Sequence, residues 1–234
     1  MNSPLLQGRS VVRSYGATPA LRGVTLDLAE GEIVAITGPS GCGKSTLLHC
    51  LAGILRPDTG EVLYRDQRVD LLSESARAVL RRTEFGVLFQ FGQLVAELTA
   101  AENVALPLLL AGTGRRAART TALGWLDRLG VADQADTVPG EMSGGQQQRC
   151  AMARAMVTEP RVLFADEPTG ALDSLAGEQI LTHLVRLARE QQTAVVLITH
   201  EPRVAGYADR EITLRDGAID PAGLGQAATL ATRP

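Results

Sequence analysis

The sequence predicts an α/β fold with a mixed, mainly parallel sheet, an N-terminal antiparallel β subdomain and an inserted α-helical subdomain. Apolar runs suited to buried strands recur at 33–37, 85–89, 162–165 and 194–198, with helical segments between them. The first run leads straight into a glycine-rich turn and then a helix. From 98 to 130 leucines recur at helical spacing, which predicts that helices are inserted there.

Length and charge exclude several classes of protein. A chain of 234 residues is long enough to bury a full core. Its 23 Lys and Arg and 26 Asp and Glu give a net charge of -3, without the basic surface typical of nucleic-acid binding. Residues 1–16 lack the pattern of a signal peptide, and the longest apolar run is far shorter than the ~20 residues of a membrane helix. We therefore expect a cytosolic protein.

The expected domain organisation is one domain with an insertion. We expect the domain to span 1–220, with the helical subdomain inserted at about 91–158. Residues 221–234 are mainly Gly, Ala and Thr with little periodicity, so we expect a loose tail.

A glycine-rich stretch between the first parallel strand and the next helix has the context of a phosphate-binding P-loop. Its glycines let backbone N–H groups point at a phosphate, and the helix adds the positive end of its dipole. Lys44 would reach the β- and γ-phosphates, and the Ser45 hydroxyl would bind Mg²⁺. The alternative is a turn whose lysine faces solvent, although Lys44 is the only lysine in the chain. The nine residues of the stretch are Gly38, Pro39, Ser40, Gly41, Cys42, Gly43, Lys44, Ser45 and Thr46.

Cysteine usage indicates reduced thiols, because three cysteines without metal-ligand spacing suit the cytosol. We expect Cys50 and Cys150 to be small core residues. Cys42 differs, since a helix N-terminus and the neighbouring Lys44 both favour its thiolate. We therefore expect Cys42 to be alkylated unless nucleotide protects it.

Two adjacent acids, Asp166 and Glu167, follow the strand predicted at 162–165. A carboxylate at a strand end beside a P-loop suits Mg²⁺, which prefers hard oxygen ligands. The second carboxylate is suited to take a proton from an attacking water. The alternative is that both acids are surface charge.

Three further side chains stand where a ligand could reach them. Gln90 ends the strand predicted at 85–89 and could contact Mg²⁺ or water, or could simply be solvated. His200 follows the strand predicted at 194–198 and could bind the γ-phosphate, unless it is a buried structural residue. Tyr15 lies in a predicted turn between two antiparallel strands. Its ring could stack on a base or cover local apolar surface.

A second anion-binding segment opens a later helix. Ser143 is a suitable N-cap, and Gly144 and Gly145 leave the backbone free to approach an anion at the helix N-terminus. Gln146 completes the segment. One chain thus has two phosphate-type sites roughly a hundred residues apart.

The motifs together resemble those of one family, the ABC-type ATPase subunits, over about 5–219. The resemblance rests on the stretch 38–46, Gln90, the segment 142–146, Asp166-Glu167, Ala171-Leu172-Asp173 and His200. It implies the ABC ATPase fold, a P-loop NTPase core in which ATP and Mg²⁺ are bound. It also implies a homodimer in which each nucleotide lies between the P-loop of one copy and the 143–146 segment of the other.

The same resemblance implies a role for each site residue. Catalytic roles would fall to Glu167, which polarises the hydrolytic water, and to His200, Gln90 and Lys44. Ser45, Gln90 and Asp166 would serve the metal ion. Tyr15 would stack on adenine, and Asp173 would act across the dimer interface.

A finer resemblance is to the macrolide-efflux, lipoprotein-release, peptide-antibiotic-resistance and cell-division group. It implies a separate membrane permease that docks near Gln90 and the helices of 98–130, and a subunit held on the inner face of the membrane. Signalling without cargo, as in cell division, is the alternative. A third possibility, a soluble ATPase acting on DNA or ribosomes, would require coiled coils, tandem ATPase units or basic patches. The motifs that carry the finer resemblance are Phe89-Gln90-Phe91, 98–104, 143–149 and 166–173.

Overall fold

The structure is a computed structural model that describes residues 3–90, 93–170 and 172–221. The chain forms two compact units, the first made by residues up to 73 together with those from 194 onwards, the second by 74–193. The tail predicted to be loose falls almost entirely at 222–234, outside the described residues.

Strands and helices alternate along most of the described chain. The strands are β1 (Leu6–Tyr15), β2 (Thr18–Leu28), β3 (Ile33–Thr37), β4 (Thr59–Tyr64), β5 (Gln67–Arg68), β6 (Phe85–Leu88), β7 (Val162–Asp166), β8 (Ala194–Ile198), β9 (Arg210–Arg215) and β10 (Ala218–Ile219). The α-helices are α1 (Lys44–Leu51), α2 (Glu74–Thr83), α3 (Ala100–Leu110), α4 (Arg115–Arg128), α5 (Gly144–Met156), α6 (Ser174–Gln191) and α7 (Pro202–Ala205).

The first unit contains an antiparallel sheet and a mainly parallel one. β1 pairs antiparallel with β2 and β4, and β5 pairs with β4. In β2 every second residue from Val24 to Leu28 is buried, as expected for a sheet with one solvated face. In the other sheet β3 is parallel to both β8 and β9. Residues 33–36 of β3 are all buried, so this apolar run has the central place expected of it.

The second unit combines two parallel strands with the inserted helices. β6 pairs parallel with β7, and Phe85 meets Phe164 edge-on, with ring centroids 5.2 Å apart. α3, α4 and α5 pack against one another. Thr99 begins α3 with a capping box to Glu102, and Trp125 of α4 is buried in the core.

The predicted fold class is confirmed, with local corrections. Tyr15, predicted to lie in a turn, is instead the last residue of β1, because it pairs with Thr18 and the hairpin turns at Gly16 and Ala17. The sequence did not predict β5, β10 or α7, because two to four residues show no periodicity. No helix in the described part of the chain is both long and apolar enough to cross a membrane.

Candidate functional site

The P-loop glycines are required by the surrounding backbone. Gly43 is the N-cap of α1 at φ +104°, and a Cβ there would lie 2.3 Å from the carbonyl oxygen of Ala20. Gly38 has φ +139°, and a Cβ there would lie 2.1 Å from the carbonyl oxygen of Leu214. L side chains rarely adopt such φ values, and neither backbone oxygen can move aside cheaply. The loop is therefore held close to its neighbours, with the first N–H groups of α1 directed towards it.

Lys44 lies over the loop that precedes it. Its side chain is buried, and Nζ donates hydrogen bonds of 2.9 Å to the carbonyl oxygens of Gly38 and Pro39. The alternative of a lysine that faces solvent is therefore wrong. An ammonium has three N–H donors, so the same group can also bind a phosphate oxygen. The glycine cradle, the ammonium and the Ser45 hydroxyl form a donor set that fits a nucleotide phosphate with Mg²⁺.

Cys42 is buried within the P-loop, with 5% of its surface exposed. The sequence favoured a reactive thiolate there, but burial removes the access that an alkylating reagent needs. Cys50 and Cys150 are buried in the core as predicted. Burial raises the pKa of the Cys50 thiol to about 11 and that of Cys150 to about 12.

Tyr15 and His200 both present their side chains to solvent in the first unit. The Tyr15 ring is 51% exposed at the end of β1, and the Arg13 guanidinium lies 5.5 Å from its centroid. His200 follows β8 and is exposed, so the buried-histidine alternative is wrong. Because β3 and β8 are parallel neighbours, His200 and the P-loop extend from the same edge of their sheet.

Gln90 and Glu167 are brought together in the second unit. A Cβ built on Gly170 would lie 2.8 Å from Nε2 of Gln90 and 3.4 Å from Oε2 of Glu167. Glu167 follows β7 at φ +45°, a conformation that costs a non-glycine residue roughly 1–3 kcal/mol. Asp166, the last residue of β7, is half-buried beside it. These side chains bring amide and carboxylate oxygens to the ends of adjacent parallel strands.

The residues predicted to hold the metal ion, Ser45, Gln90 and Asp166, include one carboxylate and no histidine or cysteine. Among the described residues no three such side chains cluster to hold a metal ion. Mg²⁺ does not require such a cluster, because it keeps several waters and is usually bound through one or two carboxylates together with substrate phosphates.

The segment that the sequence predicts to bind a second anion lies at the start of α5. Ser143 is the N-cap: its Oγ accepts from the Gln146 N–H at 3.3 Å, and Gln146 Oε1 accepts from the Ser143 N–H at 2.8 Å. Ser143 and Gly144 are exposed. A Cβ on Gly144 or Gly145 would meet only ordinary contacts, at 3.7 and 3.8 Å. The N-terminus of α5 is therefore open to an approaching anion.

Asp173 has a structural role that the sequence did not predict. Its Oδ1 accepts a 2.9 Å hydrogen bond from the Ala176 N–H and caps α6. The neighbouring Ala171 of the predicted motif lies outside the described residues. The Asp173 side chain remains exposed, which leaves it accessible to a second protein chain.

Asn103 is a further residue that sequence reasoning missed. It is completely buried, and its Nδ2 donates to the carbonyl oxygens of Val95, Leu98 and Thr99 at 2.9–3.1 Å. Its Oδ1 accepts from the Val95 N–H at 2.8 Å. One amide thus shapes the segment that leads into α3. The available signal was an amide side chain directly before the apolar run 104–110.

Comparison with known proteins identifies the family. The family model described as ABC transporter matches residues 21–170. The lipoprotein-releasing system ATP-binding protein LolD of Koribacter versatilis is 46% identical over 84% of this chain and 88% of its own length. The chain belongs to the ABC transporter family. As an ABC transporter ATPase it binds ATP with Mg²⁺ and hydrolyses it.

Other relatives of this ABC transporter ATPase agree. The macrolide export ATP-binding/permease protein MacB 1/2 of Paracoccus denitrificans is 44% identical over 93% of this chain, which covers 33% of that longer protein. The dimeric ATP-binding cassette MJ0796, solved in a post-hydrolysis state with ADP and Pi, is 37% identical. The two chains superpose with a TM-score of 0.87, and the match covers 92% of this chain and 96% of the cassette chain.

Proposed function

We propose that this ABC ATPase works as a homodimer around two Mg-ATP molecules and drives a separate membrane permease of the export type. The observation that supports this most directly is that one chain has two helix N-termini suited to bind phosphate, that of α1 after Gly43 and that of α5 after Ser143. Two copies arranged head to tail give each nucleotide one segment of each kind. The solved MJ0796 cassette is also dimeric, which supports the pairing of two copies.

Binding of ATP is assigned to the P-loop and Tyr15. Lys44 neutralises the β- and γ-phosphates, and the backbone N–H groups around Gly43 bind their oxygens. Tyr15 stacks its exposed ring on adenine. When bound, Mg²⁺ neutralises phosphate charge, and Ser45, Gln90 and Asp166 are the residues suited to hold it.

Hydrolysis is assigned to Glu167 and His200. The Glu167 carboxylate accepts a proton from the water that attacks the γ-phosphorus, while the bond from that phosphorus to the β,γ-bridging oxygen breaks and ADP leaves. His200 donates a hydrogen bond to the γ-phosphate. Gln90, beside Glu167, responds to the metal ion. Asp173, exposed at the start of α6, contacts the partner subunit. The strained backbone of Glu167 is consistent with a carboxylate held in a required direction.

The transport role is inferred from the relatives. The LolD proteins are named for lipoprotein release and MacB for macrolide export. We infer that the permease docks at the segment around Gln90 and at α3 and α4, and that it holds the ATPase on the inner face of the membrane. We also propose one ATPase domain over 1–220 with the helical insertion at about 91–158, which contains α3, α4 and α5.

The test is affinity purification of the Glu167→Gln protein from detergent-solubilised membranes with Mg-ATP. Loss of one well-placed proton acceptor should lower turnover about 10²-fold and so preserve the ATP-bound complex. A membrane permease should co-purify, and the same variant without Mg-ATP is the control. A permease bound to wall enzymes rather than to cargo would favour the signalling role. Recovery of soluble partners alone would contradict the transporter proposal.

A further inference from the structure

Gln148 joins the two strand ends that carry Gln90 and Glu167. Its Nε2 donates to the carbonyl oxygen of Phe89 at 3.3 Å and to that of Pro168 at 2.8 Å. Phe89 immediately precedes Gln90, and Pro168 immediately follows Glu167. The Gln148 side chain is 3% exposed, so water cannot readily replace either hydrogen bond.

The same residue belongs to the helix that begins at Ser143. Gln148 lies in the second turn of α5, whose first turn is fixed by the capping box between Ser143 and Gln146. An amide has two N–H donors, and here each has a carbonyl acceptor. One side chain therefore connects the proposed partner-nucleotide segment with both strand ends of the candidate catalytic site.

We propose that Gln148 is a positioning residue that fixes Gln90 and Glu167 relative to each other and to the N-terminus of α5. This rests on the proposed function of that site. Glu167 has a left-handed backbone, which persists only where the surroundings hold it. The Pro168 carbonyl, which accepts the hydrogen bond from Gln148, follows the Glu167 carbonyl along the backbone. Release of that carbonyl would let the peptide relax and turn the Glu167 carboxylate away from its direction beside Gln90.

A second buried hydrogen bond provides a control that distinguishes a positioning role from a contribution to stability alone. Thr193 is 1% exposed, and its Oγ1 donates to the carbonyl oxygen of Pro160 at 2.8 Å. This is also a buried side-chain bond to a proline carbonyl in the same unit. Pro160 precedes the amino end of β7, whereas Pro168 follows its carboxyl end. Thr193→Val thus removes a comparable hydrogen bond at the opposite end of β7 from Glu167.

The experiment compares Gln148→Met with Thr193→Val in the full chain. Both should lower the Tm, since each leaves a buried carbonyl without its partner. Gln148→Met should lower kcat for ATP hydrolysis at least about tenfold while KM for ATP changes less than about threefold. Thr193→Val should retain kcat within about twofold. Equal effects of the two variants on kcat would overturn the inference.

A double-mutant cycle with Gln90→Ala tests the coupling itself. The effects of Gln148→Met and Gln90→Ala on log kcat should be non-additive, whereas those of Thr193→Val and Gln90→Ala should add. If Gln148→Met does not unfold cooperatively, Gln148→Asn takes its place, and the same kcat criterion applies. Wild-type hydrolysis and its loss in Glu167→Gln test the proposed function separately. A fully active Gln148→Met enzyme would overturn only the positioning role.

Discussion

The side-chain amide of Gln90 and the carboxylate of Glu167 converge on one glycine. A Cβ at Gly170 would lie 2.8 Å from the former and 3.4 Å from the latter. The Gly170 N–H also donates to the Glu167 carbonyl at 3.1 Å, which closes the turn after β7. The absence of a side chain at Gly170 therefore allows these two groups to lie close together.

Gly170→Ala should consequently impair catalysis more than folding. The new methyl group meets the flexible end of Gln90, which can move aside, so we expect a stability loss below about 1 kcal/mol. Displacement of Gln90 should nevertheless lower kcat about tenfold or more. Steady-state ATPase kinetics and thermal unfolding of the same preparation check this. A loss of stability without any change in kcat would contradict it.

Gly43→Ala, in contrast, should strongly destabilise the fold. Its Cβ would lie 2.3 Å from a backbone oxygen and φ is +104°. A small shift of the side chain or of the backbone therefore cannot relieve the clash. We expect a loss of about 3 kcal/mol or more and no detectable ATP binding. Urea unfolding and nucleotide titration measure the two effects. Gly124→Ala, in α4 with open space around it, is the control and should stabilise by about 0.5–1 kcal/mol.

The ion pair between Asp70 and Arg68 should make stability depend on pH. Burial raises the pKa of Asp70, but hydrogen bonds from Arg68 and from the Val62 N–H outweigh it and hold that pKa below its usual value. A lowered pKa in the folded state gives stability that is complete above the unfolded value of about 3.9 and is lost as pH falls through the folded value.

Asp70→Asn tests this dependence. At pH 7 the variant should be less stable than wild type, because the bidentate Arg68 loses its charged acceptor, although solvent screening reduces the effect. The difference should shrink as the pH falls below about 4. Denaturant unfolding across the pH range measures it, and a difference that stays constant down to pH 3 would be inconsistent with the assigned pKa shift.

The three cysteines should resist alkylation in the native protein. All three are buried, and burial raises the pKa values of Cys50 and Cys150 far above neutral pH. Labelling followed by mass spectrometry should show slow modification at pH 7.5 and rapid modification after unfolding. Fast labelling of Cys42 that Mg-ATP prevents would instead support the thiolate that the sequence suggested.

Local patterns predicted well those features whose partners are near in the chain. The P-loop and the Ser143 cap are short segments with fixed spacing, so residue type was sufficient. Gln148 was not predicted because its acceptor in Phe89 lies 59 residues away, and no short-range pattern encodes that contact. Tyr15 was placed in a turn because its strand is irregular, with register shifts along β1.

The ATP-dependent homodimer is tested by measuring the mass of the Glu167→Gln protein in solution. With Mg-ATP the 24.8 kDa chain should double in mass by light scattering, and without nucleotide it should not. Adding Gly144→Glu should prevent dimerisation, because the new carboxylate repels the partner's phosphate while it favours the α5 dipole. A Glu167→Gln protein that binds Mg-ATP yet remains a monomer would rule out an ATP-dependent homodimer.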